Sequence, residues 1–498
     1  MTMNRTQMRK LIGVVTLAAV AASCSEKQID ITNPNDALAT SVATDPTALQ
    51  LLATGLMADQ RSTRIAQIQN TGTLGREQYT YTPNEGRNTT NFLIGITVAG
   101  VQKLDPAGFA NGSWGGQYTL IRDAYNFINT VGASASLNAQ QKAAATGFAE
   151  TLEALMIFEI VQTRDTLGGI TEIQDDPFKL SPFVTRDSMY KYVLGTLDDA
   201  AAKLSSAGAT PFPFKLAPGF SASVAGQSFD TPGNFIRFNR ALKAKAAAHY
   251  ATAGGGAAAW QTALTALSAS FLNAAATKRA EFDVGVYDTY APSPDSPNSL
   301  SSATNTTLYA HPSYATDVQK KADGSPDDRY TAKIRTGLPP RQGPVSGDGP
   351  TSALSTLGFS IWPTTSSPIP IIRNEELILI RAEAKLGTGD KAGAIADLNI
   401  VRQSSGGLPA STLTAASSTD AIIDALLYEK RFSLMMEGNR WVDARRYNRL
   451  NTLPLDVASG PNKNFIAKVM PIPQGECLNR LPLGGTFLGP NGLDDCAP

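Results

Sequence analysis

At 498 residues the chain is long enough for two or three domains and a large buried core. Lys plus Arg and Asp plus Glu balance at 43 each, so no basic excess points to nucleic acid or an anionic membrane surface as the main partner. Only 17% of residues are charged, and the abundance of Ser, Thr, Asn, Gln and Gly favours a protein that handles neutral, hydrogen-bonding material.

Arg5, Arg9 and Lys10 precede the apolar run Leu11 to Ala22, which ends in Ala21-Ala22-Ser23-Cys24. A basic start, a short apolar stretch and small residues before a cut describe a secretory signal over residues 1–23. The run is about half of the roughly 20 apolar residues that span a bilayer as a helix. A cysteine directly after the small residues resembles a bacterial lipobox, with cleavage before Cys24 and lipid on its sulfur, although Ala21 stands where Leu is usual. The alternative is an ordinary signal whose mature chain carries a nearby cysteine. If Cys24 is lipidated, acyl chains at ~0.8 kcal/mol per buried CH₂ hold the protein stably on a membrane. Residues 24–45 then read as a tether, with Asn33-Pro34-Asn35-Asp36 as a turn.

From 46 to 498 helical periodicity dominates, read as one mainly α unit with few strands. Apolar spacing and caps predict helices over 46–60, 115–131, 139–163, 186–204, 234–253, 257–275, 373–387, 390–403, 420–437 and 439–448. Thr185 or Asp187 caps the fourth, whose face is Met189, Val193, Leu197 and Leu204. Two regions rich in Pro, Gly, Ser, Thr and Asp, 205–233 and 283–370, interrupt the pattern. They carry aromatic residues that disordered linkers tend to lack, so they read as ordered excursions.

The C-terminal helical region spans 373–475. In EELILIRAEAKL, Leu377, Ile378, Leu379, Ile380, Ala382 and Leu386 spread round the helix, which is therefore surrounded by others. Gly387-Thr388-Gly389-Asp390 ends it and starts a partner, KAGAIADLNIVR. Such a pair resembles a tetratricopeptide hairpin, and 234–275 offers a second. Residues 429–446, EKRFSLMMEGNRWVDARR, thread charge through apolar side chains. On a helix over 420–437, Ile422, Ile423, Leu426, Leu427 and Leu434 fill one arc, and Tyr428, Phe432, Met435 and Met436 another. Glu429 falls between the arcs and Glu437 inside the first. Buried carboxylates need partners, for which Arg431, Arg440, Arg445 and Arg446 are the forks at hand, so a structural ion-pair network is expected. The rival reading is a catalytic carboxylate pair flanking an open cleft.

Other chemistry is sparse. The only histidines are His249 and His311, and no HExxH, GxSxG or P-loop occurs. Ser188 to Lys191 match SxxK, but SDN and KTG are absent and the four residues open an amphipathic helix. No catalytic residue, metal site or cofactor is assigned. With Cys24 lipidated, Cys477 and Cys496 remain. Export permits a disulfide between them, the alternative being two free thiols.

Glu429, Arg431, Glu437-Gly438, Arg440, Asp443 and Arg446 resemble the C-terminal motif of the SusD/RagB family. The hairpin residues Glu383-Ala384, Leu398-Asn399 and Arg402 are similar to the helical pair preceding it, and VMPIPQGECLN to the family's terminal segment. Weaker similarity covers YTLIRDAYNFIN, the helix ending Leu167-Gly168-Gly169, TLDDAAAKL and RALKAKAAAHY. Ser433 departs from the pattern, standing where a second Glu is usual, and so does the tail after 477. The resemblance implies a SusD-like fold of tetratricopeptide-like hairpins with long loops. It also implies a non-enzymatic outer-membrane lipoprotein, facing the exterior, that binds an oligosaccharide or a peptide and passes it to a SusC-like TonB-dependent transporter. The expected ligand contacts are Arg76, Tyr79, Tyr81, Arg87, Trp114, Tyr287, Tyr290, Tyr309 and Trp362. Rivals are a helical-repeat adaptor that binds only protein, and a glycan-degrading enzyme.

Overall fold

The computed structural model describes residues 46–480, apart from 83, 177, 178, 294 and 347. The expected signal and tether, Cys24 and Cys496 lie outside the described residues. Cys477 is disulfide-bonded, and its partner also lies outside them.

The frame is helical. Its main elements are α1 (Pro46–Leu74), α2 (Gly115–Ala133), α3 (Ala139–Arg164), α4 (Arg186–Ser206), α5 (Pro232–Tyr250) and α6 (Gly256–Ser268). They continue with α7 (Asn374–Gly387), α8 (Lys391–Ser404), α9 (Thr419–Ser433) and α10 (Arg440–Arg446). Side chains supply the orphan N–H groups of the first turns with acceptors. Asn138 and Gln141 form a capping box on α3, and Thr185, Asp390 and Ser418 cap α4, α8 and α9. Neighbours in sequence pack in pairs, α2 on α3, α3 on α4, α5 on α6 and α7 on α8, giving the tetratricopeptide-like layout. α6 lies against α7 so closely that a Cβ at Gly387 would sit 2.3 Å from Trp260 Nε1. Only glycine lets that indole seat itself there.

Between residues 144 and 164, α3 is buried almost all round, as apolar residues on every side of the helix require, with Glu153 and Glu159 buried among them. Its Phe148 meets Phe127, Phe212, Phe214 and Phe235, so the 205–233 excursion folds its aromatics back into the main core. The 283–370 excursion builds a second core from Tyr290, Leu308, Tyr314, Phe359 and Trp362, closed by Phe432, Met435 and Met436. Two antiparallel ladders stitch it to the frame. β1 (Gln78–Thr80) pairs with Leu308–Ala310 in register Tyr79 to Tyr309, and Gly285–Asp288 pairs with Ile369–Arg373.

Three helix ends differ from expectation. α1 continues to Leu74 because Gln60 and Arg61, which break the apolar pattern, find partners in Asp288 and in Asp295 with the Thr289 carbonyl. α6 stops at Ser268. α9 stops at Ser433, since Met436 at φ 58° and Gly438 at φ 82° place 434–438 in a turn. Glu437 therefore sits on that turn and not on a helical arc.

The expected ion-pair network changes partners. Neither Glu429 nor Glu437 is tied to Arg431, Arg440, Arg445 or Arg446. Glu429 pairs with Arg329 (2.6 Å) and Arg402 (2.9 Å), and Glu437 with Arg373 (2.8 Å). Arg431 reaches Asp317 (2.6 Å), and Arg440 donates to the Arg76 carbonyl (2.9 Å). Asp443 holds Lys430 (2.9 Å) and Arg446 (2.8 Å), which also converge on Glu383. The reason is geometric. Residues two apart on a helix point to nearly opposite sides, so Arg431 turns away from Glu429 and cations from other elements fill the gap. At Ser433, where the resemblance led to the expectation of a second Glu, the hydroxyl accepts from Arg329 (2.9 Å) and donates to Glu375 (2.8 Å).

Glu153 is one of several buried acids with no cation in contact. Burial pushes the Glu153 carboxyl up to about 7, while it accepts from the Tyr192 hydroxyl. The folded state thus keeps a proton, between the unfolded value of about 4.3 and about 7, that the unfolded chain has lost. Its contribution to stability falls as pH rises through that window. Glu153→Gln is expected to melt higher than the parent at pH 8, with the gap closing by pH 5 in a series of thermal melts.

Candidate ligand groove

The last turns of α1 carry a polar stripe, Gln69, Asn70 and Thr73, at helical spacing on one side. At Gly75-Arg76 the chain reverses, with Gly75 N–H donating to the Thr71 carbonyl (2.8 Å) and Arg76 at φ 56°. It then runs back as β1, which adds Gln78 and Thr80 beside the stripe. The short helix Arg87–Leu93 contributes Asn88, and the turn Phe109–Asn111 closes the far side. Together they bound a groove of about 490 Å³.

That far turn is held rigidly. Asn91 Oδ1 accepts from Phe109 N–H (2.9 Å), and the buried Arg164 donates to the carbonyls of Asn111 and Ser113 (both 2.7 Å). Arg164 also donates to the Pro471 carbonyl (3.2 Å), and Gln474 N–H to the Pro106 carbonyl (3.0 Å). Phe109 remains 39% exposed, an uncommon placement for a large ring. Arg87 lies over it, 4.6 Å from the centroid, and is itself held by Glu85 at 2.6 Å.

Within the groove, Gln78 Nε2 is occupied by the Gln69 carbonyl and Thr73 Oγ1 (both 2.7 Å). The side-chain amides of Gln69 and Asn70 form no hydrogen bond among the described residues. No carboxylate, imidazole, amine or thiol lines the cavity. Its chemistry is therefore amide and hydroxyl hydrogen bonding beside one aromatic face, which suits a neutral polyhydroxyl ligand and offers no acid or base.

Of the expected ligand contacts, the structure brings only Arg87 to this groove, at its rim. The other eight are buried. Arg76 donates to the carbonyls of Pro454 (3.1 Å) and Phe465 (2.9 Å), tying α1 to the C-terminal segment. Tyr79, Tyr81 and Tyr309 form one cluster, with hydroxyls on Asp456, the Ala353 carbonyl and the Pro339 carbonyl. Tyr290 and Trp362 belong to the second core, Tyr287 lies against the first, and Trp114 sits beneath Arg164. Tyr287 also lines a separate cavity of about 520 Å³ beside Met57, Phe220 and Asp288, while the other rings are packed against protein on nearly every side. An 88-residue excursion must bury apolar area of its own, and its aromatics serve that purpose. Sequence reasoning missed Gln69, Asn70, Gln78, Asn88, Asn111 and Phe109. The available signal was a phenylalanine set in the Gly-rich turn GFANGSWGG, where little can cover it.

Neither histidine offers a catalytic base in an open site. Burial pushes His249 well below its ordinary value. His311 bridges Asp456 (2.9 Å) and Ser313 Oγ (2.7 Å), the residue types of a hydrolase triad. However, its Nδ1 also accepts the Ser313 N–H (3.1 Å), and Ser313 Oγ accepts from Arg431 (2.8 Å), so the ring clamps a turn. Ser188 shares a hydrogen bond with the cap Thr185 (3.1 Å), and Lys191 pairs with Asp187 (2.8 Å), so the SxxK residues serve the start of α4. No group of acidic, His or Cys residues among the described residues has the arrangement of a metal site, and no helix among them is long and apolar enough to cross a membrane.

Residues 302–477 match the family model of the SusD family. No curated protein matches the chain. Among solved structures, a SusD-like protein from Bacteroides fragilis NCTC 9343 is 16% identical, with a TM-score of 0.62 over 88% of this chain and 96% of its own. A SusD superfamily protein from Bacteroides vulgatus ATCC 8482 is 13% identical, with a TM-score of 0.61 over 88% of this chain and 97% of its own. A laminarin-binding SusD-like protein is 16% identical, with a TM-score of 0.57 over 86% of this chain and 97% of its own.

Proposed function

We infer, from the match of residues 302–477 to the SusD family model and from the SusD-like fold of the chain, that this protein is a nutrient receptor that binds without turnover. It holds an oligosaccharide in the groove between α1 and the turn Phe109–Asn111. In this reading Cys24 carries lipid, the protein faces outward on the outer membrane, and a SusC-like TonB-dependent transporter takes the cargo inward. The observation that supports the reading best is the pairing of an exposed Phe109 ring with the unengaged amides of Gln69 and Asn70 in a cavity free of acids and bases. The apolar C–H face of a sugar stacks on such a ring, and its hydroxyls satisfy such amides. The laminarin binding of one structural relative belongs to that protein and makes β-glucans a sensible first probe here.

The test is calorimetric titration of the purified chain with neutral glycan fragments, laminarin-derived ones included, and with peptides, while products are monitored. Saturable glycan binding without product is expected. Phe109→Ala should weaken it at least about tenfold, the loss typical of an anchoring aromatic, at unchanged melting temperature. Product formation from any glycan, or glycan affinity indifferent to Phe109, overturns the reading. Capture from outer membranes should recover a large barrel protein, and recovery of none removes the transporter from it.

A further inference from the structure

A second cavity, of about 260 Å³, lies between α9, α10 and the turn Leu450–Thr452, apart from the groove. Lys430, Arg431, Arg440 and Arg449 line it, facing the carboxylates of Asp317, Asp424 and Asp443. Three of these cations are matched. Lys430 pairs with Asp443 (2.9 Å), Arg431 with Asp317 (2.6 Å) and Arg449 with Asp424 (2.7 Å).

Arg440 is the exception. Among the described residues no carboxylate lies within ion-pair distance of it, and its hydrogen bond runs to the Arg76 carbonyl (2.9 Å). The nearby buried acid Glu77 is not in contact with it, and Glu77 Oε1 accepts from the Tyr314 hydroxyl and Met436 N–H (both 3.1 Å). Next to Arg440, Arg431 has a buried Nε with no partner. Burial first, and then the Arg431 charge, bring Arg440 down to about 10, which still leaves it cationic at neutral pH.

Glu77 and Asp317 act on Arg440 only from beyond contact distance, so its planar fork keeps room for two oxygens of one oxyanion, the arrangement such a fork is shaped for. We propose that this cavity is a binding site for a single small oxyanion, held by Arg440 with help from Arg431. The anion arrives either as the carboxylate of an acidic sugar or as a free inorganic ion. Leu427, Tyr428 and Leu453 give the cavity an apolar side against which a sugar ring fits. The proposal concerns a different place from the groove and does not depend on it.

The full chain is melted with increasing sodium glucuronate, sodium sulfate or glucose, with chloride holding ionic strength constant. A saturable rise in melting temperature is expected with glucuronate or sulfate and none with glucose. A larger rise with glucuronate assigns the sugar acid, and a larger rise with sulfate the free ion. Arg440→Gln should weaken the effect at least about tenfold, since it removes a charge-assisted contact. Thr452→Glu, at an exposed lining position, adds a competing carboxylate to the wall and should abolish the rise. A melting temperature indifferent to both oxyanions, or a rise that survives Thr452→Glu, overturns the proposal. The calorimetric result for Phe109→Ala is read separately, so the two sites stand or fall independently.

Discussion

Replacing Glu383 with alanine is expected to lower the free energy of unfolding by about 3–5 kcal/mol, measured as a fall in denaturant midpoint at constant slope. The Glu383 side chain is fully buried on α7, where it accepts from Lys430 on α9, from Arg446 on α10 and from the Tyr447 hydroxyl (3.1 Å). Three elements are thus joined through one carboxylate. Its removal leaves Lys430 and Arg446 to share Asp443 alone, in surroundings where water cannot replace the lost charge. Glu85→Ala provides the contrast, since it breaks an exposed, solvent-screened pair with Arg87 and should leave the midpoint essentially unchanged. A small loss at Glu383 would mean that the hub is dispensable.

Arg329→Met should cost a similar amount, about 3–5 kcal/mol, but with a different pH signature. Arg329 belongs to the 283–370 excursion, pairs with its own Asp327 (2.6 Å), and crosses to Glu429 (2.6 Å) and Ser433 Oγ (2.9 Å) on α9. Without it, Glu429 keeps only Arg402 and Asp327 keeps the Tyr428 hydroxyl (3.0 Å). Burial already pushes the Glu429 carboxyl above its ordinary range, with Arg329 the largest of the groups holding it down. In the variant the folded state therefore favours the protonated acid further, so the defect should be large at pH 8 and shrink toward pH 5. Glycan affinity per folded molecule should not change. A pH-independent loss would show that packing around Arg329 matters more than its charge.

These residues also mark how far the sequence can be read. The periodicity of 373–403 and the caps at Thr185 and Asp390 were legible, because helix formation is local and each cap lies three residues from its donor. That Glu429 and Glu437 needed cations was legible too, from burial on a wheel. Which cations was not. Arg329, Arg373 and Arg402 come from other elements, and spacing within one helix carries no information about them. The ligand site shows the same limit. Aromatics in irregular segments looked like binding faces, yet those segments needed them as a core, and the exposed ring was Phe109, a residue without a polar handle. The unengaged groove amides, Gln69 and Asn70, belong to the part of α1 beyond residue 60, where apolar spacing had placed the end of the helix.

The backbone ties between the groove and the end of the described chain set an order of events. Phe465 N–H donates to the Leu93 carbonyl (2.9 Å) and Met470 N–H to the Thr163 carbonyl (2.9 Å), alongside the Arg76, Arg164 and Gln474 links. During synthesis from the amino end, the groove wall near residue 100 waits for strap residues made more than 350 positions later. A nascent chain halted before residue 465 lacks these ties, so under the proposed reading the groove takes its final shape only late in assembly.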